Sequence, residues 1–431
     1  MVLTPYLYYA YGRPSDGQFV PKETQGPPII NDPDLKVETV FEGIEFPTTM
    51  AFLGPDDILV LEKNRGTVQR IIDGDKQDEP VLDLDVANWG ERGLLGIAVA
   101  RNSTNDKTYV FLYFTKFTEG GDGEGTNDEK SYGNSVYRYE FLDDKLVNPK
   151  PILNLSSEPG PSHDGGAITI GPDNNLYIPI GDIDGSFNPH RNVKTLAQNF
   201  VNSTFLDGRA GILRVDLNGN PVKSQRILGD KPPLSLYYAY GIRNSFGIAF
   251  DPVTGRLWDT ENGPDFGDEI NLVEPGFNSG WAGAQGIWEV DANRQGQKSL
   301  NPDNLVTFDK RGEYSTPELT WEEPVGPTAL KFLQSDKLGK QYENDMFVSD
   351  IRFGRIYHFD LNEDRTQLVL KGLLSDKEIE KGSTDTDGIL FGERFGGITD
   401  LEIGPDGYLY VVSFSKGAIY RIVPASNNNS S

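Results

Sequence analysis

The chain has no cysteine among its 431 residues. That excludes a disulfide framework, a thiolate nucleophile and a cysteine-ligated metal. Histidine is nearly as scarce, so chemistry that needs an imidazole must come from His163, His190 or His358. Positive charge is short as well. Lys and Arg number 40 against 65 Asp and Glu, a formal charge of -25, and such a field repels phosphates, so neither nucleic acid nor anionic membrane is an expected partner. No apolar run approaches the roughly 20 residues that span a bilayer as a helix. A core of this size needs no covalent staple, so the missing cysteines leave the redox compartment open.

What the chain does have is turn chemistry. Its 48 Gly and 28 Pro punctuate hydrophobic runs of about five residues, a pattern of short strands rather than helices. The expected fold class is all-β. Residues 12–35, "GRPSDGQFVPKETQGPPIINDPDL", show no periodicity, and residues 1–35 together read as an extended lead-in or signal remnant. The first residues, "MVLTPYLYYAYG", are mildly apolar but lack a positive n-region. With the sequons at Asn102, Asn154 and Asn202 and two more in the tail "NNNSS", they suggest export, to the exterior or the cell envelope.

After the lead-in the chain repeats itself. "MAFLGPDDILVLEKNRGTVQRII" from Met50 and "LEIGPDGYLYVVSFSKGAIYRIV" from Leu401 share strand, "GPD" turn, strand, Gly-containing turn, strand. Further copies begin at Ile97, Ala167, Ile248 and Tyr342. Repeats of a short meander with unequal insertions predict a six-bladed β-propeller with four-stranded antiparallel blades over residues 36–424, followed by a disordered tail at 425–431. The strand "KVETVFEG" from Lys36 has no partner in the first unit and is expected to close the ring as the outer strand of the last blade. Two separate β-sandwiches are the alternative, although no stretch between the units reads as a linker.

One stretch carries a candidate chemistry. In "SHDGGAITIGPDNNLYIPIGD", from Ser162, a turn centred on Pro172 and Asp173 sets His163 opposite Asp182 at the open end of a hairpin. A carboxylate beside an imidazole fixes its tautomer and stabilises the imidazolium formed when it takes a proton, the arrangement of a general base and its partner. A loop histidine satisfied by a nearby carboxylate is the bland alternative. Arg243 and Asn244 in "YGIRNSFG" stand at the mouth of a strand, where a guanidinium and an amide can hold an oxygen that becomes negative. "ENGPDFGDE" gathers acids around two glycines and a proline, a composition that suits a hard cation such as Ca²⁺ or, equally, a solvated acidic turn.

In this order, "GERGLLGIA", "SHDGGAITIGPDNNLYIPIGD", "YGIRNSFGIAFDP", "ENGPDFGDEINLVEPGFNSGW" and "GPDGYLYVV" resemble the soluble quinoprotein sugar dehydrogenases, in the aldose sugar dehydrogenase branch of the glucose/sorbosone dehydrogenase family. The resemblance runs from about Val37 to Val423. It implies a six-bladed propeller that holds pyrroloquinoline quinone (PQQ) and a Ca²⁺ ion and oxidises an aldose at C1 to the lactone, passing electrons to an external acceptor. By the same resemblance His163 is the base, Asp182 its partner, Arg243 the group that polarises the quinone and Asn244 a cofactor contact, with Gly263 and Pro264 offering carbonyls to Ca²⁺. Arg352 falls where glucose-oxidising members have a cofactor-contacting lysine.

The chain departs from the family pattern in two places. Gly397 and Thr399 stand where members commonly have two arginines that bind the acidic quinone, leaving Thr399 and the nearby Arg394 as the candidate contacts there. Glu91 stands where glucose-oxidising members have a glutamine at the cofactor, which by the resemblance makes it a candidate cofactor contact. A tricarboxylate loses charge-assisted bonds without cationic neighbours, so two other functions stay open on the sequence: a propeller that has lost PQQ and serves as an extracellular binding or adhesion module, and a metal-dependent lactonase. His190 lies in a polar loop. His358 falls in a blade strand and reads as structural.

Overall fold

The computed structural model describes residues 26–102, 106–118, 120–123, 132–158, 160–183, 208–222, 226–290, 296–297, 300–383 and 385–425. His190, Asn202, the tail sequons and parts of the long loops after Phe117 and Trp281 lie outside them. The fold is an all-β propeller, and the sequence pattern shows why. In the strand Asp57–Glu62 every residue from Ile58 to Leu61 is buried. Ile58 and Val60 pack against Tyr410, Val412 and Ile419, while Leu59 and Leu61 pack against Val110, Leu112 and Phe114. Alternate residues point to opposite faces of a strand, so an unbroken apolar run marks a strand covered on both sides.

The same logic carries around the ring. Phe111 and Tyr113 join the second sheet to Leu176 and Ile178 of the third, and Tyr177 and Ile212 join the third to Ile248 and Leu257. Trp258 and Ile270 then meet Val348 and Tyr357, and Phe347 and Ile356 meet Leu401 and Val411. The cluster of Met50 with Tyr410 returns the last sheet to the first.

The closing strand is where the sequence put it. Leu35–Glu42 pairs antiparallel with Ala418–Pro424 as the outer strand of the last sheet. Two features depart from plain four-stranded antiparallel blades. Phe277–Asn278 pairs parallel with Tyr237–Tyr240, and Glu378–Ile379 pairs parallel with Leu319–Trp321. The insertions thus lay short strands along outer edges, covering N–H and C=O groups that would otherwise be open to pairing. Part of the lead-in joins the fold too, since Ile29–Ile30 pairs antiparallel with Leu390–Glu393. No helix among the described residues is long and apolar enough to cross a membrane.

Candidate active site

The hairpin holding His163 is shorter than its sequence suggests. Its ladder comprises only Thr169↔Tyr177 and Ile170↔Leu176, one residue out of the expected register. Farther on, the Gly166 N–H donates to the Pro179 carbonyl at 3.3 Å, and the two chains run on to the expected meeting: His163 Nδ1 lies 2.5 Å from Asp182 Oδ1. Gly181 makes the close approach possible, because a Cβ there would stand 2.3 Å from the His163 carbonyl oxygen and 2.4 Å from that of Arg243. No other residue fits.

His163 is held in a strained conformation. Its φ is +66°, in the left-handed region, which costs a residue with a Cβ roughly 1–3 kcal/mol and persists only where neighbours fix it. Glu91 does the fixing. Its Oε2 accepts the His163 N–H at 2.7 Å and the Asn244 Nδ2–H at 3.0 Å, so one carboxylate ties two candidate site residues from separate parts of the chain. Lys63, buried at 6% exposure, lies within electrostatic reach of Glu91 and Asp164; burial lowers its ammonium to about 8, and the two acids oppose that shift.

Trp281 completes the first chain of contacts. Its Nε1–H donates to Asp182 Oδ2 at 2.8 Å, on the oxygen that does not face His163. With both carboxylate oxygens engaged, Nδ1 carries the imidazole proton toward Asp182 and Nε2 is left as the acceptor. The Trp281 ring also lies under Arg243, whose guanidinium carbon is 5.3 Å from the ring centroid, and a cation over an indole face is held electrostatically.

Arg243 is fixed at both ends. Its backbone N–H donates to Glu261 Oε1 at 2.8 Å, its carbonyl accepts the Asp182 N–H at 3.0 Å, and its Nη1 donates to the carbonyls of Asn262 at 2.7 Å and Gly263 at 2.9 Å. Behind it lies a row of fully buried acids on the strands Leu257–Glu261 and Asp268–Val273. Ser279 Oγ sits between Glu261 Oε2 at 2.7 Å and Glu269 Oε2 at 3.2 Å. Burial pushes Glu261 well above the carboxylate range, Glu269 up to about 8 and Asp259 up to about 7.

The Gly263 turn is tight and carbonyl-rich. Gly263 N–H donates to Asp268 Oδ1 at 2.8 Å, and the other oxygen of Asp268 accepts from Val325 and Gly326, each at 2.7 Å. That carboxyl is therefore spent on the backbone, and the expected loop of free acids is not what forms. What converges instead is the carbonyl pair of Asn262 and Gly263, which already meets a cationic nitrogen, the environment a hard cation asks for; Pro264 is half-buried beside them. For an anionic organic cofactor Arg243, half-buried, offers the positive charge, and Asn244 Oδ1, buried with no hydrogen-bond partner, can accept from an N–H or O–H that such a group carries. Glu91 supplies an opposing charge beside Asn244.

The remaining expected contacts engage other partners. Arg352, half-buried, donates from Nη1 to the Pro324 carbonyl at 2.6 Å and pairs with Glu323 at 3.2 Å. Its backbone N–H reaches Val325 at 3.2 Å, next to the Asp268 anchor. Thr399 spends its hydroxyl on the Pro47 carbonyl at 2.9 Å. Arg394 is exposed, with Glu393 3.6 Å away.

Similarity to known proteins shows the family. The model of the Glucose / Sorbosone dehydrogenase family matches residues 44–421. The chain belongs to that family. It is 24% identical to the aldose sugar dehydrogenase YliI of Escherichia coli over 90% of this chain and 93% of that one. It is 29% identical to quinoprotein glucose dehydrogenase B of Acinetobacter calcoaceticus over 54% of this chain and 49% of that one. A solved putative oxidoreductase (glucose dehydrogenase) of Thermus thermophilus superposes with a TM-score of 0.65 at 26% identity, covering 90% of this chain and 100% of that one. Membership makes the protein a sugar dehydrogenase.

Sequence reasoning missed two members of this group. Trp281 lay inside a quoted motif, but nothing in its spacing announced that it would reach Asp182. Lys63 lay unremarked inside the first repeat. Glu91, expected at the cofactor, also braces His163 and Asn244.

Proposed function

We propose that the protein is a PQQ- and Ca²⁺-dependent aldose dehydrogenase that oxidises a sugar at C1 to the lactone. The observation that carries this is the chain from Trp281 through Asp182 to His163, with Arg243 anchored beside it. The name of the Acinetobacter relative supports a quinone. When bound, PQQ would supply a two-electron hydride acceptor. Arg243, Asn244 and Arg352 are the residues that would hold it, with Thr399 and Arg394 as outer contacts, and the carbonyls of Gly263 and Pro264 would hold Ca²⁺.

The protein's own part is proton transfer and charge placement. His163 Nε2 takes the proton of the C1 hydroxyl as hydride leaves that carbon, and Asp182 stabilises the resulting imidazolium. Arg243 keeps a fixed positive charge where negative charge grows. Glu91 holds His163 and Asn244 in register. Electrons then leave to an external acceptor. Six blades and work outside the cytoplasm belong to the same reading, the first supported by the succession of sheet-to-sheet clusters and the second by the sequons.

The test is a titration of the purified chain with PQQ, with and without Ca²⁺, followed by tryptophan fluorescence. Trp281 lies under Arg243, so saturable Ca²⁺-dependent quenching at micromolar PQQ is expected. Absence of binding at that concentration overturns the proposal.

A further inference from the structure

Away from this site, one hairpin end gathers ligands that the proposed chemistry leaves unused. The strands Met346–Asp350 and Ile356–Phe359 pair antiparallel with Phe347 opposite His358 and Met346 opposite Phe359. One step beyond the last pair, Asp345 and Asp360 fall opposite each other. Alternation puts both on the face that carries His358. His358 Nε2 lies 2.9 Å from Asp345 Oδ2 and 3.8 Å from Asp360 Oδ1, and the three ligand atoms all lie within 4.8 Å of one another.

Like charges placed directly opposite across a ladder are destabilising. Here, among the described residues, Asp345 and Asp360 form ion pairs with His358 alone, without a lysine or arginine. The groups are also held in place. The Asp345 carbonyl accepts the Leu333 N–H at 3.1 Å, and that of Asp360 accepts the Val369 N–H at 2.9 Å. The His358 ring packs edge-on to Tyr342 at 5.0 Å and against Phe347 at 5.1 Å. A packed imidazole between two carboxylates on fixed backbone is an N,O,O set.

We propose that Asp345, His358 and Asp360 bind one first-row divalent cation of the Zn²⁺ class, through His358 Nε2 and one oxygen of each aspartate, with water completing the shell. The spacing fits. Bonds of 2.0–2.1 Å in a tetrahedral site set ligand atoms about 3.3 Å apart, between the two distances observed. The imidazole selects Zn²⁺-like ions over Ca²⁺ and Mg²⁺, which prefer all-oxygen shells. Asp345 adjoins one end of the strand Met346–Asp350 and Arg352 lies in the turn beyond its other end, so a strand of roughly 17 Å stands between them and this site is separate from the proposed cofactor site. Its function is to clamp the open end of the hairpin.

The test is a Co²⁺ titration of the full chain in excess Ca²⁺, read by visible d–d absorbance. One saturable site is expected, weakened roughly tenfold or more by Asp360→Asn and likewise by His358→Gln. Asp360 is exposed, so the variant is expected to keep the wild-type circular dichroism, which separates lost ligation from lost folding. Zn²⁺ should raise the thermal midpoint of the wild type and leave that of Asp360→Asn unmoved. No saturable Co²⁺ binding in excess Ca²⁺, or equal binding by wild type and a folded Asp360→Asn, overturns the proposal.

Discussion

Trp281 Nε1 donates to Asp182 Oδ2 at 2.8 Å, on the opposite oxygen from the one facing His163. The indole therefore fixes the carboxylate that fixes the base. Replacing it by Phe keeps most of the ring and removes the donor. A hydrogen bond to a charged group contributes about 1.5–3 kcal/mol, so Trp281→Phe is expected to lower kcat by roughly ten- to a hundredfold. Steady-state dye reduction with an aldose checks this; an unchanged kcat would show that Asp182 needs no second anchor.

Glu91 separates two effects by substitution. Glu91→Gln keeps an oxygen that can accept from both His163 and Asn244, and it removes a negative charge from beside the proposed tricarboxylate site. PQQ is expected to bind more tightly to this variant. Glu91→Ala removes the brace, and kcat/KM is expected to fall at least tenfold. Fluorescence titration and initial rates read the two outcomes, and weaker PQQ binding by Glu91→Gln would contradict the electrostatic part.

Arg243→Lys tests geometry against charge. The lysine keeps a cation but has no planar fork to hold the Asn262 and Gly263 carbonyls while lying over Trp281. A loss of roughly a hundredfold in kcat is expected, the scale of losing one preorganised donor. A variant at wild-type rate would show that charge alone suffices.

Asp164 gives a pH prediction. Burial pushes its carboxyl up to about 6, against the pull of Arg92 and the Asn134 amide at 2.8 Å, and its Oδ2 has no hydrogen-bond partner. The folded state therefore keeps a proton that the unfolded chain releases near pH 3.9. The associated stability is present in full below about pH 3.9 and is lost as pH rises through about 6, on the order of 3 kcal/mol. Chemical denaturation from pH 4 to 8 should show a slope of this sign, to which Glu269 and Asp259 add, and Asp164→Asn should make it shallower.

Much of this was legible in the sequence, for physical reasons. The "GPD" turns and doubly buried runs such as "ILVL" at Ile58 expose strand periodicity directly, and the unpaired strand at Lys36 has nowhere to go but the far end of the ring. The His163–Asp182 contact was legible because a hairpin fixes its partners, even though the ladder itself slips by one residue. Trp281 and Lys63 were not legible, since contacts that cross between blades leave no spacing in the chain. The Asp345–His358–Asp360 set lay hidden until the register placed the two acids opposite each other.

The most direct measurement is dye reduction by the chain reconstituted with PQQ and Ca²⁺, comparing wild type with His163→Ala in the presence of aldoses. The account predicts aldose-dependent turnover in the wild type and a loss of roughly a hundred- to ten-thousandfold in His163→Ala, with circular dichroism unchanged. Turnover at the wild-type rate in a folded His163→Ala, or none in a wild type that binds PQQ, would contradict it.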